Sequence, residues 1–203
     1  MPDSTSDEIL MAAYQAGNHA AFAELFERHS GSVYGFLARR LPDRSLAEDL
    51  YQEAFLRLHR ARHSYDSRRP FRAWLFAIVH NLLRDTLRER ARVSQTEPLQ
   101  EASAHSADEE TSGEVLGYQA SAEERSPEEL VCTRESTRAL SAALQALPDD
   151  EATVLILARL EGLSYDDIGL VIGRSSAATK QLAYRALKRV RAEMVALGHG
   201  EES

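Results

Sequence analysis

The sequence predicts an all-α protein: two small helical domains joined by a disordered acidic linker, the C-terminal domain containing a helix-turn-helix. Three observations carry that expectation. No stretch alternates apolar and polar residues with the period of two that a half-buried strand requires. Apolar residues recur instead at spacings of three and four, between residues that start and stop helices. Residues 94–126 are rich in Ser, Ala and Glu and poor in apolar residues, so that stretch cannot bury enough surface to offset its ordering entropy. The expected divisions are therefore 1–93, 94–126 and 127–203.

Helix signals follow one another along the N-terminal flank. Thr5-x-x-Glu8 has the spacing of a capping box, for a short helix that stops at Gly17. Asn18 caps a second helix, through FAELFERHSGSVYGFLARRL, which Pro42 terminates. Ser45-x-x-Glu48 opens a third, in which Leu50, Ala54 and Leu58 fall on one stripe. A polar loop, HSYDSRR, follows. Pro70 then stands in the first turn of a fourth helix, PFRAWLFAIVHNLLRDTLRERAR.

Beyond the linker, Ser126-Pro127-x-Glu129 combines an N-cap, a first-turn proline and a capping-box acid, for a helix that runs close to Leu147. The next, DDEATVLILARLEG, carries acids at its start and Gly162 at its stop. Ser164-x-x-Asp167 caps a short helix that ends at Gly173, and Ser175 or Ser176 caps the last. Three helices of these lengths suit a helix-turn-helix.

The formal charge of -8 conceals a segregation. Residues 1–93 hold 14 bases and 12 acids, residues 94–130 one base and 10 acids, and residues 131–203 nine bases and 10 acids. The acidity thus resides in the middle segment, and the overall sign does not argue against nucleic-acid binding, which depends on local fields. A single cysteine, Cys132, excludes an internal disulfide and fits a reducing compartment. The N-terminus, MPDSTSDEIL, lacks the basic and apolar regions of a signal peptide, and no apolar run approaches the roughly 18 residues that span a bilayer. A cytoplasmic location is expected.

Three surfaces can carry chemistry. On the last helix Thr179, Ala183, Ala186, Val190 and Leu197 share one stripe, with Ala178, Gln181, Arg185, Lys188 and Ala192 opposite and Lys180, Tyr184 and Arg191 on a flank. Such a face can enter a major groove, while Ser175 and Ser176 offer hydroxyls and amides to a phosphate. The alternative is a solvated amphipathic helix. A second zone, Arg57 to Arg92, holds 10 bases against three acids, with Tyr65, Phe71, Trp74 and Phe76 interleaved. Bases beside stacking rings suit single-stranded nucleic acid. A core stripe of Phe71, Trp74, Leu75, Ile78, Val79 and Leu82 accounts better for most of those apolar residues, and leaves His80, Asn81, Arg84 and Arg88 as a polar face. The Asn81 amide can both donate to and accept from a base edge. Third, Glu48, Asp49, Gln52 and Glu53 crowd a face that is either solvated or docks a basic partner.

Signatures of catalysis are not found: no glycine-rich phosphate loop, nucleophile elbow or zincin motif occurs. His59 and His63 are four residues apart, but no further ligand has convincing spacing, so neither a metal nor another cofactor is expected. Cys132, with no motif around it, reads as an inert packed thiol.

Two blocks of sequence, in this order, resemble the extracytoplasmic-function sigma factors of bacterial RNA polymerase. FAELFERHSGSVYGFLARRL, AEDLYQEAFLRLHRAR and RPFRAWLFAIVHNLLRDTLRER are similar to their domain 2, and the run from Leu140 to Arg191 to their domain 4. The resemblance implies a non-enzymatic initiation factor that makes core RNA polymerase promoter-specific. Asp49, Gln52 and Glu53 match the DxxQE face that docks on the polymerase clamp helices. The loop from Ser64 through Tyr65 to Arg69, with Asn81 and Arg84, matches the part that melts the −10 element and holds a flipped base. Ser175, Ser176, Lys180, Gln181, Tyr184, Arg185 and Lys188 match the reader of the −35 element in duplex DNA.

Further expectations follow from the same resemblance: an anti-sigma partner, no membrane insertion and no small-molecule substrate. The linker would run through the RNA exit channel, where an extended acidic chain can mimic RNA. The recognition helix departs from the family's usual TVKSRLxRAR, with Leu182 and Leu187 where arginines are common and Ala183 where a leucine is common. No promoter sequence is carried over for that reason. Two rivals remain at this level: a stand-alone helix-turn-helix regulator with an N-terminal sensing or dimerisation domain, and a helical adaptor that binds only protein.

Overall fold

The computed structural model describes residues 5–96 and 138–196, and among these there is no strand. In the N-terminal half, α1 spans Asp7–Gln15, α2 His19–Arg40, α3 Arg44–Ala61 and α4 Phe71–Thr96, with a 3-10 turn at Arg62–Ser64. In the C-terminal half, α5 is helical over 138–145, α6 spans Asp149–Arg159, α7 Tyr165–Ile172 and α8 Ser176–Ala196.

Most helix starts form where short polar side chains can reach free amides. Asn18 Oδ1 accepts from the amides of Ala20 and Ala21 at 3.0 and 3.4 Å. Ser164 accepts from the Asp167 amide at 3.1 Å and donates to its carboxylate at 2.7 Å. Two expected caps are displaced. Ser6 rather than Thr5 caps α1, accepting from Ile9. Asp43 rather than Ser45 caps α3: the extended residue after Pro42 brings its carboxylate to the Leu46 amide at 3.2 Å, two residues ahead of Ser45.

At α4 the cap comes from far away in sequence. Pro70 precedes the helix, with its carbonyl accepting from Trp74, and the Phe71 amide donates to Glu8 Oε1 at 3.0 Å. The helix continues to Thr96, so residues 94–96 extend α4 instead of beginning the linker. The rest of the expected linker, its acidic role, the Ser126–Glu129 cap, Cys132 and Leu197 lie outside the described residues.

Phe36, Leu37, Phe71, Leu75, Phe76 and Val79 form the centre of the N-terminal half, each essentially free of solvent. Burial of one such side chain contributes about 1.5–3 kcal/mol. Ile156, Leu157, Ile168, Ala186 and Val190 do the same for the C-terminal half. The two halves share one continuous apolar core, in which α4 lies against α7. Polar contacts frame that junction: Arg72 donates to the Glu161 carbonyl at 2.7 Å, and His80 Nδ1 lies 3.1 Å from Thr153 Oγ1.

Candidate nucleic-acid interface

The last two helices form a tight helix-turn-helix. Gly173 ends α7 with φ of +68°, a left-handed conformation that costs glycine little. The Arg174 amide returns to the Gly169 carbonyl at 2.9 Å. Ser175 then caps α8, accepting from the Ala178 amide at 3.3 Å, and its carbonyl receives the Thr179 hydroxyl at 3.0 Å. The expected stripe faces inward: Thr179, Ala183, Ala186 and Val190 are buried, joined by Leu182. Leu182 is thus a core residue, which explains why an arginine is not needed there; Leu187 is partly exposed.

Lys180, Gln181, Tyr184, Arg185 and Lys188 stand out from that core. Tyr184 is 73% exposed and lines a shallow hollow with Lys180, Gln181 and Arg185. A large ring so open to water on a rigid helix has nothing within the fold to pack on. Behind it, Glu151 is buried in α6, with Arg189 at 3.3 Å and Arg185 Nε at 3.9 Å. Arg189 therefore serves the fold, while Arg185 still projects outward with most of its side chain in solvent. Arg174 is likewise engaged, held by Asp150 at 2.7 Å.

The loop before α4 is pinned from beneath. Gln15 donates to the carbonyls of Arg62 and Tyr65 at 2.7 and 2.9 Å. Tyr65 is only 5% exposed, its ring against Phe71 and Trp74, and its hydroxyl donates to the Arg69 carbonyl at 2.6 Å. Burial pushes that phenol up to about 12. Tyr65 is thus a prop inside the fold and not an open stacking ring in this arrangement. Above it, Asp66 accepts from the Arg68 amide and guanidinium, which hold its carboxyl down at about 2. Ser64 donates to the Ala61 carbonyl at 2.7 Å, and both Ser64 and Arg69 are exposed.

One face of α4 carries Asn81, exposed, with its Oδ1 accepting from Arg84 at 3.1 Å. His80 does not belong to that face. It is 1% exposed and turned into the junction with α6, which corrects the expectation of an open His80 beside Asn81. The burial depresses its pKa, outweighing the attraction of Asp150.

On α3, Glu48, Asp49 and Gln52 are exposed. Glu53 is half-buried and paired along its own helix with Arg57 at 2.9 Å and Arg60 at 3.5 Å. Asp49 and Gln52 are therefore the freer docking groups. His59 meets the Tyr14 hydroxyl, and among the described residues no three His, Cys, Asp or Glu side chains are grouped to hold a metal ion. No described helix is long and apolar enough to cross a membrane.

Glu8, Gln15 and Asp150 position these surfaces; sequence inspection gave Glu8 only a local capping-box role and did not single out the other two. Their partners lie 63, 47 and 24 residues away, so no local spacing reveals them.

Comparison with known proteins fits this geometry. Residues 25–93 match Sigma-70 region 2, and residues 137–190 match Sigma-70, region 4. The chain is 33% identical over 181 residues to the RNA polymerase sigma factor CarQ of Myxococcus xanthus, covering 89% of this chain and 93% of that one. It is 34% identical over 188 residues to the ECF RNA polymerase sigma factor BldN of Streptomyces coelicolor, covering 92% of this chain and 65% of BldN. The solved sigma factor RpoE of Bartonella quintana, in complex with the anti-sigma factor NepR, shares the fold with a TM-score of 0.61 at 21% identity, covering 86% of this chain and 96% of that one.

Proposed function

The chain belongs to the extracytoplasmic-function sigma factors, initiation factors that bind core RNA polymerase and direct it to promoters, and we propose that its two halves divide that work. Residues 127–203 read the −35 element as duplex. Ser175 and Ser176 meet a phosphate with hydroxyl and amide groups, Lys180, Arg185 and Lys188 supply cations, and Gln181 and Tyr184 reach base edges. The open Tyr184 beside Lys180, Gln181 and Arg185 carries this reading, because such a face on a helix fixed by Gly173 and Ser175 has no role within the fold.

Residues 1–93 bind the polymerase through Asp49, Gln52 and Glu53 and capture the melted −10 strand. Ser64 and Arg69 meet the backbone, Asn81 and Arg84 hold an unstacked base, and Tyr65 supports the loop from below. Binding energy of the captured base offsets part of the unpairing cost. No covalent step is required of the protein. A soluble factor working on polymerase acts in the cytoplasm, and by likeness to the NepR complex an anti-sigma protein is its natural antagonist. A stand-alone regulator is not favoured, since it would have no use for a region 2 match over residues 25–93.

Permanganate reactivity of unpaired thymines tests this division. With core polymerase and a matched promoter, the wild type is expected to expose thymines in the −10 element. Asn81→Ala with Arg84→Ala should retain promoter duplex but leave those thymines protected. Full reactivity in that variant would contradict the assignment.

A further inference from the structure

Helix α1 lies ahead of residues 25–93, the stretch that matches Sigma-70 region 2, so that match gives it no part in promoter work. It nevertheless grips both ends of the loop before α4. Gln15, its last residue, commits one amide nitrogen to the loop's entry, donating to the carbonyls of Arg62 and Tyr65 at 2.7 and 2.9 Å. Glu8, in its first turn, accepts from the Phe71 amide at the loop's exit, at 3.0 Å. Seven residues fall about 20° short of two full helical turns, so the two side chains share one face, about 10 Å apart along the axis.

The helix is itself fixed. Leu10, Met11 and Tyr14 are buried in the core, and the Tyr14 hydroxyl meets His59 near the end of α3. Arg28 and His29 of α2 hold Asp7, at the other end of α1, at 2.9 and 2.8 Å. The loop's own bonds are local by contrast: Ser64 to Ala61, Arg68 to Asp66 and Tyr65 to Arg69 each close within four residues. Such bonds shape its turns but cannot set where the loop stands against its neighbours. The Phe71 amide is one of the first-turn donors that α4 cannot satisfy from within. Glu8 thus ties α1 to the helix that carries Asn81 and Arg84, while Gln15 ties it to the backbone on either side of Ser64.

We propose that Glu8 and Gln15 are positioning residues for capture of the −10 strand: α1 is a strut of fixed length that holds the loop from Ser64 to Arg69 in one place relative to Asn81 and Arg84. This rests on the functional reading above. Holding an unstacked base requires backbone contacts and base contacts at the same time, so the loop and α4 must keep one spacing. A loop released from α1 would have to give up its freedom at the moment of capture, which slows melting. Gln15 and Glu8 bond to the loop and to α4, not to the docking groups of α3 or the outward face of α8. Polymerase affinity and duplex affinity therefore stand apart from this role.

Full-length variants assembled with core polymerase on a matched promoter test the strut. Gln15→Glu keeps the side chain's shape but turns its donor into an oxygen that faces two carbonyls. At saturating protein it is expected to expose −10 thymines to permanganate about tenfold more slowly, the scale of one or two lost hydrogen bonds. Its affinities for core polymerase and for −35 duplex should equal those of the wild type. Glu8→Ala should slow exposure likewise, and Glu8→Gln, which retains an acceptor for the Phe71 amide, should restore the wild-type rate. A merely structural role would lower all three readouts together and give no such rescue. Amide exchange in the free protein supplies a second measure: residues 62–71 should exchange faster in Gln15→Glu, with α8 unchanged. Retained helicity by circular dichroism certifies each variant, and the two Glu8 variants decide the matter if Gln15→Glu fails to fold. Folded variants that melt the promoter at the wild-type rate, or that lose melting and polymerase affinity together, would overturn the proposal, as would unchanged exchange in the loop. If no protein, wild type included, exposes thymines, the functional reading falls, and exchange still decides whether α1 holds the loop.

Discussion

Gly169 and Arg174 are closer than any other residue type at position 169 would allow. A β-carbon there would lie 2.6 Å from the Arg174 carbonyl oxygen and 3.4 Å from Thr179 Oγ1. Backbone cannot swing aside as a side chain can. Gly169→Ala is therefore expected to destabilise the C-terminal half by about 1–3 kcal/mol. Gly173→Ala, forced into the left-handed region, should cost about 1–2 kcal/mol. Thermal unfolding of the full chain checks both, and a stability equal to wild type at position 169 would show that the turn is looser than described.

The exposed face of α8 divides into two kinds of contact. Lys180→Ala or Lys188→Ala should weaken duplex binding on every sequence alike, and lower the slope of log affinity against log salt by about one. Gln181→Ala or Tyr184→Ala should instead cost about 1–3 kcal/mol at one base position and relax preference there. Arg189→Ala should leave DNA affinity intact, since Arg189 is spent on Glu151. Titrations against a set of single-base promoter variants, at several salt concentrations, separate these outcomes.

Polymerase docking should follow exposure on α3. Asp49→Ala and Gln52→Ala are expected to weaken affinity for core polymerase about tenfold each, on the scale of a lost charged or polar interface contact. Glu53→Ala alone should do less, because Arg57 and Arg60 already share its carboxylate. The double variant Gln52→Ala with Glu53→Ala should bind polymerase poorly while leaving α8 unaffected. Fluorescence anisotropy with labelled full-length protein measures this directly, and equal affinity for all variants would remove α3 from the interface.

The contact of α4 with α6 through His80 and Thr153 should weaken in acid. Burial, with help from Arg84 and Arg40, depresses the His80 pKa, against the pull of Asp150 and Asp149. Parting restores the usual value of about 6.5. The packed form thus draws its full contribution from neutral His80 above that value, and loses it as pH falls below it. The radius of gyration should rise as pH falls below about 6.5, and His80→Gln should abolish the rise. His29, also buried and depressed, faces Asp7 inside the N-terminal half. Its titration would appear as lost helicity, which circular dichroism separates from opening.

What was legible in the sequence is what neighbouring residues decide. Asn18, Ser164 and Ser175 cap their helices because each cap acts within three residues. The inward Thr179–Val190 stripe of α8 followed from period alone. Phe71, Leu75, Val79 and Leu82 likewise form the core stripe expected of α4. Choices between adjacent candidates went astray, as with Ser6 over Thr5 and Asp43 over Ser45, since the path of the incoming chain selects among them. His80 and Tyr65 were misplaced for a different reason. Spacing locates a residue on a helix or loop, but only tertiary contact shows whether another element covers it, and here Thr153 covers one and Trp74 the other.

Run-off transcription with purified core RNA polymerase tests the central claim most directly. Core polymerase alone should give no specific product from a matched promoter, and adding the full-length protein should give a transcript of defined start. The transcript should vanish with Gln52→Ala/Glu53→Ala at limiting protein and with mutation of the −35 element. Duplex binding by this protein with no specific transcript from any promoter in a genomic library would contradict it.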